Sequence, residues 1–321
     1  MQFIVKHGRY RVDSSTVADR EVCQTMSAFK KRSFAQAVAL FVFAGSVANA
    51  QDGAGTAPAP ASADQVAKEL SNPAGSLASL VNNLEYRSFK GDLPGADSQD
   101  TWLYSFQPVL PFPVGNEGRR IIFRPLIPVP LNQPYFDSSE LGFDDDDINL
   151  GDVTFDLAYA GTEMQSDESG YLWGIGANGT IPTATSDNLG GDQWRIGPEV
   201  FGGVVRPWGT AGILVGHQWD MAGDNYDHSV TAGQYFYAYG LGNGWQLASG
   251  PNFSYDWNAD SGNRWTVPLG LGLAKTTKIG STTVKFQAQA FYYVEQPDSF
   301  GPDWGLKFSI TPVIRNPFLR R

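Results

Sequence analysis

The densest run of reactive residue types in the chain is Asp227-His228-Ser229, an acid, a base and a nucleophile in succession. Adjacent residues of a strand point to opposite faces, so these three cannot build a catalytic relay among themselves. The other histidine beyond residue 50, His217, alternates with Val215 and Trp219 and reads as a wall or interface residue. No metal-ligand spacing, phosphate-binding loop or redox pair occurs, and the single cysteine, Cys23, lies near the start of the chain. The sequence therefore predicts neither an enzyme nor a cofactor. A second candidate chemistry is the acidic run Asp144, Asp145, Asp146 and Asp147. Carboxylates suit Ca²⁺ or Mg²⁺. The run lacks the Gly and closing Glu of an EF-hand loop, so it offers a divalent-cation surface and no defined site.

The elements that must carry these residues are strands. From Trp265 to Leu273 every second residue is apolar (Trp265, Val267, Leu269, Leu271, Leu273), with small or polar residues between them. That is the period of a strand with two unlike faces. Similar runs predict twelve strands, near 77–89, 101–113, 119–130, 148–160, 170–182, 193–206, 210–219, 229–241, 245–257, 264–274, 281–294 and 304–315. An all-β fold follows: a transmembrane antiparallel β-barrel of about twelve strands, apolar toward lipid and polar toward the lumen.

The composition agrees. Mean hydropathy is −0.25 and charged residues make up 17%, while aromatics reach 13% and glycines number 36. No apolar stretch is long enough for a transmembrane helix. Residues 1–50 carry seven Lys/Arg against three Asp/Glu, so residues 51–321 sit at −14 against −10 for the whole chain. Nucleic acid is excluded as a partner on charge.

Residues 26–50 read as a cleaved secretory signal: Lys30, Lys31 and Arg32, an apolar core, then Ala48-Asn49-Ala50. Residues 1–25 are then a mis-assigned start or a disordered extension, with Met26 the expected initiator. Residues 51–76 form an Ala/Pro-rich periplasmic linker with a short helical stretch near 65–70. Residues 77–318 form the barrel and 319–321 a tail.

With both termini in the periplasm, alternate connections should be short. Gly115–Gly118, Pro207–Gly209, Gly242–Gly244 and Lys278–Gly280 fit; Gly161–Ser169 is the long exception. Trp102, Tyr104, Tyr171, Trp173, Tyr255, Trp257, Tyr292 and Tyr293 are expected at the membrane interfaces. The proline-crowded second and third strands are expected to be bent or incompletely paired. Alternation assigns Arg124, Arg195, Glu199, Lys285, Gln287, Gln289, Lys307 and Arg315 to the lumen.

The chain also resembles the bacterial outer-membrane barrels grouped as meta-pathway of phenol degradation transporters, also labelled neuromedin U-like. The resemblance rests on Asn72-Pro73-Ala74, Tyr104-x-Phe106-x-Pro108-Val109, Arg124–Pro130, Gly151-Asp152-Val153, Trp194-x-x-Gly197-Pro198 and Pro312–Phe318. It implies uptake of hydrophobic or aromatic compounds. Such barrels typically end on an aromatic residue read by the assembly machinery, whereas Phe318 is followed here by Leu319-Arg320-Arg321.

These readings converge on a porin-like passive channel or transporter in a Gram-negative outer membrane. Its partners would be outer-membrane lipids, lipopolysaccharide and the barrel-assembly machinery. The alternative is a structural or surface-interaction barrel with a filled lumen and cation-binding acidic loops. A secreted soluble β-protein is the third.

Overall fold

The computed structural model describes residues 62–115, 118–223 and 227–318. The signal segment, residues 1–61 as a whole and the tail 319–321 lie outside the described residues. One helix, α1 (Ala63–Leu70), precedes fourteen strands: β1 (Ala78–Lys90), β2 (Asp100–Val114), β3 (Arg119–Asp137), β4 (Gly142–Asp146), β5 (Val153–Met164), β6 (Gly170–Ile181), β7 (Trp194–Arg206), β8 (Gly209–Ala222), β9 (Ser229–Gly242), β10 (Trp245–Ser249), β11 (Asn252–Asp256), β12 (Trp265–Ile279), β13 (Thr282–Glu295) and β14 (Gly301–Ile314).

Apart from β4 and the β10–β11 break, each strand pairs antiparallel with its sequence neighbours, and β1 pairs with β14 from Ala78↔Ile314 to Lys90↔Gly301. The sheet is thereby closed. β10 and β11 both pair with β9 on one side and β12 on the other, so they form one stave broken at Gly250-Pro251. β4 pairs with β3 alone, as a hairpin beyond the wall. The wall therefore has twelve staves. Closure removes the unpaired edge that a bilayer could not satisfy.

The boundaries follow the alternation closely, with three corrections. The fourth stave, β5, runs over 153–164, not 148–160, so the expected long 161–169 connection shrinks to Gln165–Ser169. Its Gly161-Thr162-Glu163 continues the alternation that the acidic composition concealed. The third strand extends past 130 to Asp137, because its far end pairs with β4 in the hairpin. Of the adjacent tyrosines 292 and 293, Tyr292 is exposed and Tyr293 buried, as opposite faces of one strand require.

The prolines leave a specific mark. β2 and β3 pair in one register on both sides of a gap, Phe106↔Ile127 and Leu110↔Phe123, and that register sets Pro108 across from Pro125. Neither can donate to the ladder, so the pair is open there. The same residues still pair outward, Pro108 with Leu80 of β1 and Pro125 with Phe155 of β5, which holds both strands in the wall.

One face of the wall is apolar and exposed. Leu157, Tyr159, Ile175, Ile196, Val200, Ile213, Leu269, Leu271, Phe308 and Ile310 all present large side chains outward. The opposite face of the wall buries Glu85, Ser105, Glu199, Lys285, Gln289 and Ser309. No helix among the described residues is long and apolar enough to cross a membrane. A closed barrel that is apolar outside and polar inside is a membrane-spanning one, of the outer-membrane type.

Candidate functional site: the barrel interior and its N-terminal strap

The interior charges are organised in pairs along neighbouring staves. On β1, Leu84 and Tyr86 face outward, so Glu85 and Arg87 face inward. The Glu85 carboxylate accepts from Arg87 Nε at 2.5 Å and from Lys307 Nζ of β14 at 3.1 Å. The register places Glu85 directly opposite Lys307, and Gly305 opposite Arg87 leaves room for the guanidinium. Lys307 also lies over the Phe291 ring, 5.0 Å from its centroid.

A second group crosses β3, β5, β6 and β7. Arg124 donates to Asp156 at 3.1 Å and stands 3.8 Å from Glu199. Both Glu199 carboxylate oxygens, with the residue only 1% exposed, have no hydrogen-bond partner, and neither has Asn178 Oδ1. The register explains the grouping: Arg124 faces Asp156, and Asp156 faces Asn178.

A third group closes the loop end. Asp152 accepts from the backbone N–H groups of Thr183, Ala184 and Gly191, each at 3.1 Å, and from Arg195 at 3.3 Å. It ties the β6–β7 loop to the mouth.

Arg124, Glu199, Arg195, Lys285, Gln289 and Lys307 lie on the inward parity of their strands. Lys285 donates to Ser71, Gln287 to the Ala248 carbonyl, and Gln289 accepts from Ser249 Oγ and the Gly250 N–H beside the stave break. Arg315 is different: it lies one residue past β14 and is exposed. Glu85, Arg87, Asp152 and Asp156 were not singled out from sequence, although Leu84-Glu85-Tyr86-Arg87 carries the same alternation that marked Lys285. Asp144 accepts from Tyr135, and Asp146 is hydrogen-bonded to Ser186. Among the described residues no group of three or more His, Cys, Asp or Glu converges on a metal position.

The inner end carries a feature that periodicity could not show. Ser62 and Gln65 form a reciprocal capping box, which starts α1. The chain then turns at Asn72-Pro73, with Asn72 Oδ1 accepting the Ala74 N–H. The resulting strap, residues 62–76, bonds to staves on opposite sides of the ring. On one side Asp64 accepts from the Gly244 N–H at 2.5 Å, Ser71 donates to Gln246 at 3.3 Å, and Lys285 donates to Ser71 at 3.1 Å. On the other, Asn72 donates to Thr162 at 3.1 Å, and Arg120 donates to the Ala74 carbonyl at 2.9 Å. Ala74 itself is fully buried against Ile122, Ala158, Leu172 and Phe201. β3 and β10 stand six staves apart in the ring of twelve, so the strap crosses the mouth along a diameter. A cavity of about 630 Å³ remains beside it, lined by Lys68, Glu69, Arg120, Thr162, Glu168 and Thr210 among others.

A polar, ion-paired lumen with a strapped inner mouth inside an apolar wall sets the architecture. The fold is that of a closed outer-membrane β-barrel. The COG4313 outer membrane channel of Pseudomonas putida F1 superposes with a TM-score of 0.55 at 14% identity, covering 74% of this chain and 95% of that one. NanC porin matches at 0.38 and 10% identity, over 73% of this chain and 99% of the porin. A Pseudomonas aeruginosa FadL homologue matches at 0.34 and 11%, over 76% and 93%. No protein-family model matches the chain, and no curated protein matches it in sequence. An outer membrane phospholipase A of Escherichia coli matches at 0.38 and 12%, over 78% of this chain and 99% of that one.

Proposed function

We propose that this protein is a passive outer-membrane channel for small molecules whose inner mouth is narrowed by residues 62–76. The observation that carries the reading is the strap itself. It is fastened across a diameter mainly by side-chain hydrogen bonds, and a cavity stays open beside it. Bonds of this kind contribute about 0.5–1.5 kcal/mol each and can be exchanged for water. A polar wall over most of the interior admits water, while Ile122, Leu172, Phe201 and the half-buried Phe236 give one apolar strip near the strap. That strip, together with the resemblance to the phenol meta-pathway group, supports small hydrophobic or aromatic cargo. The exterior would meet outer-membrane lipid and lipopolysaccharide, with Asp144–Asp147 supplying carboxylates for bridging cations.

Planar-bilayer recording of the refolded chain is the test. Unitary steps that grow on deletion of residues 62–76 are expected. Silence from both the intact and the strap-deleted protein would refute a channel and favour the second reading, a barrel with a filled lumen. That alternative draws on the burial of Glu85, Ser105, Glu199, Lys285, Gln289 and Ser309 on the inward face.

A further inference from the structure

Two residues that sequence order keeps apart meet on the outer surface of the wall. Trp219 of β8 is registered with Ser229 of β9, and His217 with Thr231. β11 adds Tyr255 opposite Thr231. The face is the lipid-facing one, because Ile213, Trp219 and Met221 on the same parity of β8 are exposed. Ser229 therefore sits between two outward tryptophans, Trp219 at 50% and Trp257 at 57% exposure, at the loop end of the barrel.

The side chains are linked in series. Ser229 Oγ lies 3.4 Å from His217 Nε2, and Thr231 Oγ1 lies 2.8 Å from His217 Nδ1. Trp257 Nε1–H donates to the same Thr231 oxygen at 2.9 Å. An indole N–H only donates, so Thr231 accepts there, and its second lone pair can take His217 Nδ1–H, the tautomer the reaction requires. That tautomer leaves the Nε2 lone pair directed at the serine hydroxyl. Nucleophile, base and an orienting third group in hydrogen-bond reach are the geometric signature of an activated serine, with a somewhat long first contact common before substrate binds.

We propose that His217 and Ser229 are the base and nucleophile of a second activity, hydrolysis of carboxylic esters of membrane lipids on the barrel exterior. The location selects the substrate. Exposed tryptophans settle at headgroup depth, where the ester groups of lipids lie between acyl chain and water. Acyl chains would lie against Ile196, Ile213 and Val215, and Ser229, the first residue of β9, stands at the loop end where water would enter. Ser229 Oγ adds to the ester carbonyl carbon while its proton passes to Nε2. The carbon–oxygen bond to the alcohol then breaks, and the imidazolium returns that proton to the departing alkoxide. Water attacks the acyl-serine, gives a proton to Nε2 and releases the fatty acid, and the proton goes back to Ser229. Thr231 touches no reacting atom and acts as a positioning residue. Lumen conductance plays no part in the step, so this activity and the channel stand or fall separately.

The test uses the full chain refolded in detergent and in phosphatidylcholine vesicles, with folding read from heat-dependent gel migration. A fluorophosphonate probe is expected to label Ser229, located by peptide mass spectrometry, and fatty acid should accumulate from the vesicles. Ser229→Ala should abolish both, and His217→Asn should slow release by about 10²–10⁴-fold, each with unchanged gel migration. Thr231→Val should shift the pH profile of release, which loss of packing alone would not. A folded wild-type chain that takes no label at Ser229, or releases fatty acid no faster than Ser229→Ala, overturns the proposal. Either result would leave these residues as a hydrogen-bonded part of the aromatic belt.

Discussion

Glu85 is the single interior residue whose removal should cost the barrel most, and the size of the effect can be worked out. One buried carboxylate serves two cations, Arg87 and Lys307, and all three side chains are no more than 16% exposed. In Glu85→Ala both cations stay in the interior without a counter-charge. Breaking a buried ion pair by deleting one partner costs about 3–5 kcal/mol. The Phe291 ring under Lys307 offsets part of that, at about 0.5–2 kcal/mol for a cation over an aromatic face. The net expectation is about 2–4 kcal/mol, a shift of about 30- to 1,000-fold in the folding equilibrium at 1.4 kcal/mol per tenfold. With a urea dependence of about 1–3 kcal/mol per molar or steeper for a chain this long, the midpoint should fall by about 1 M or more. The assay is urea titration of the protein refolded in lipid vesicles, followed by tryptophan fluorescence and gel migration. Glu85→Ala/Lys307→Ala should recover at least 0.5 kcal/mol relative to the sum of the single changes, since neighbours in one network couple by about 0.5–3 kcal/mol. A midpoint for Glu85→Ala within 0.2 M of wild type would refute the reasoning. It would mean that lumen water already screens the cluster.

Further expectations follow from the other groups. Ala74→Glu places a charge in the fully buried seat of the strap, and should raise unitary conductance toward that of the strap deletion while gel migration stays that of a folded barrel. Asp152→Ala strips three backbone N–H groups and Arg195 of their shared acceptor. It should cost about 1–3 kcal/mol, the penalty of a single buried group left unsatisfied, because the half-buried donors can turn to water, and hydrogen exchange should quicken over 182–193 first. His228, just outside β9, is held down to a pKa of about 4, by burial first and then by nearby Arg195. The unfolded chain takes up that proton near 6.5, so stability contributed by neutral His228 is present above that value and declines as pH falls from about 6.5 toward about 4. His228→Gln should flatten that part of a urea-midpoint-against-pH curve; an unchanged slope would assign it to other groups.

The two kinds of information divided along physical lines. Strand number and the two faces of each strand are local, because side chains alternate along the backbone whatever lies beside it. Lys285, Gln289, Lys307, Arg124 and Glu199 were therefore placed inward from sequence alone, and Tyr293 was misjudged where that same rule went unapplied. A residue's partners depend on register between strands, which single-strand periodicity does not encode. Glu85 could not be matched to Lys307, 222 positions away in the numbering of one pair, until β1 was seen to close against β14. The strap is the sharper case. Its short helical stretch near 65–70 was visible, but six staves separate the walls it joins. The same holds outside: Asp227-His228-Ser229 adjoin in sequence and point apart, while His217 and Ser229 meet only because β8 and β9 lie side by side. Alternation determined the barrel and its two solvents; closure and register decided which charges, hydroxyls and segments face one another.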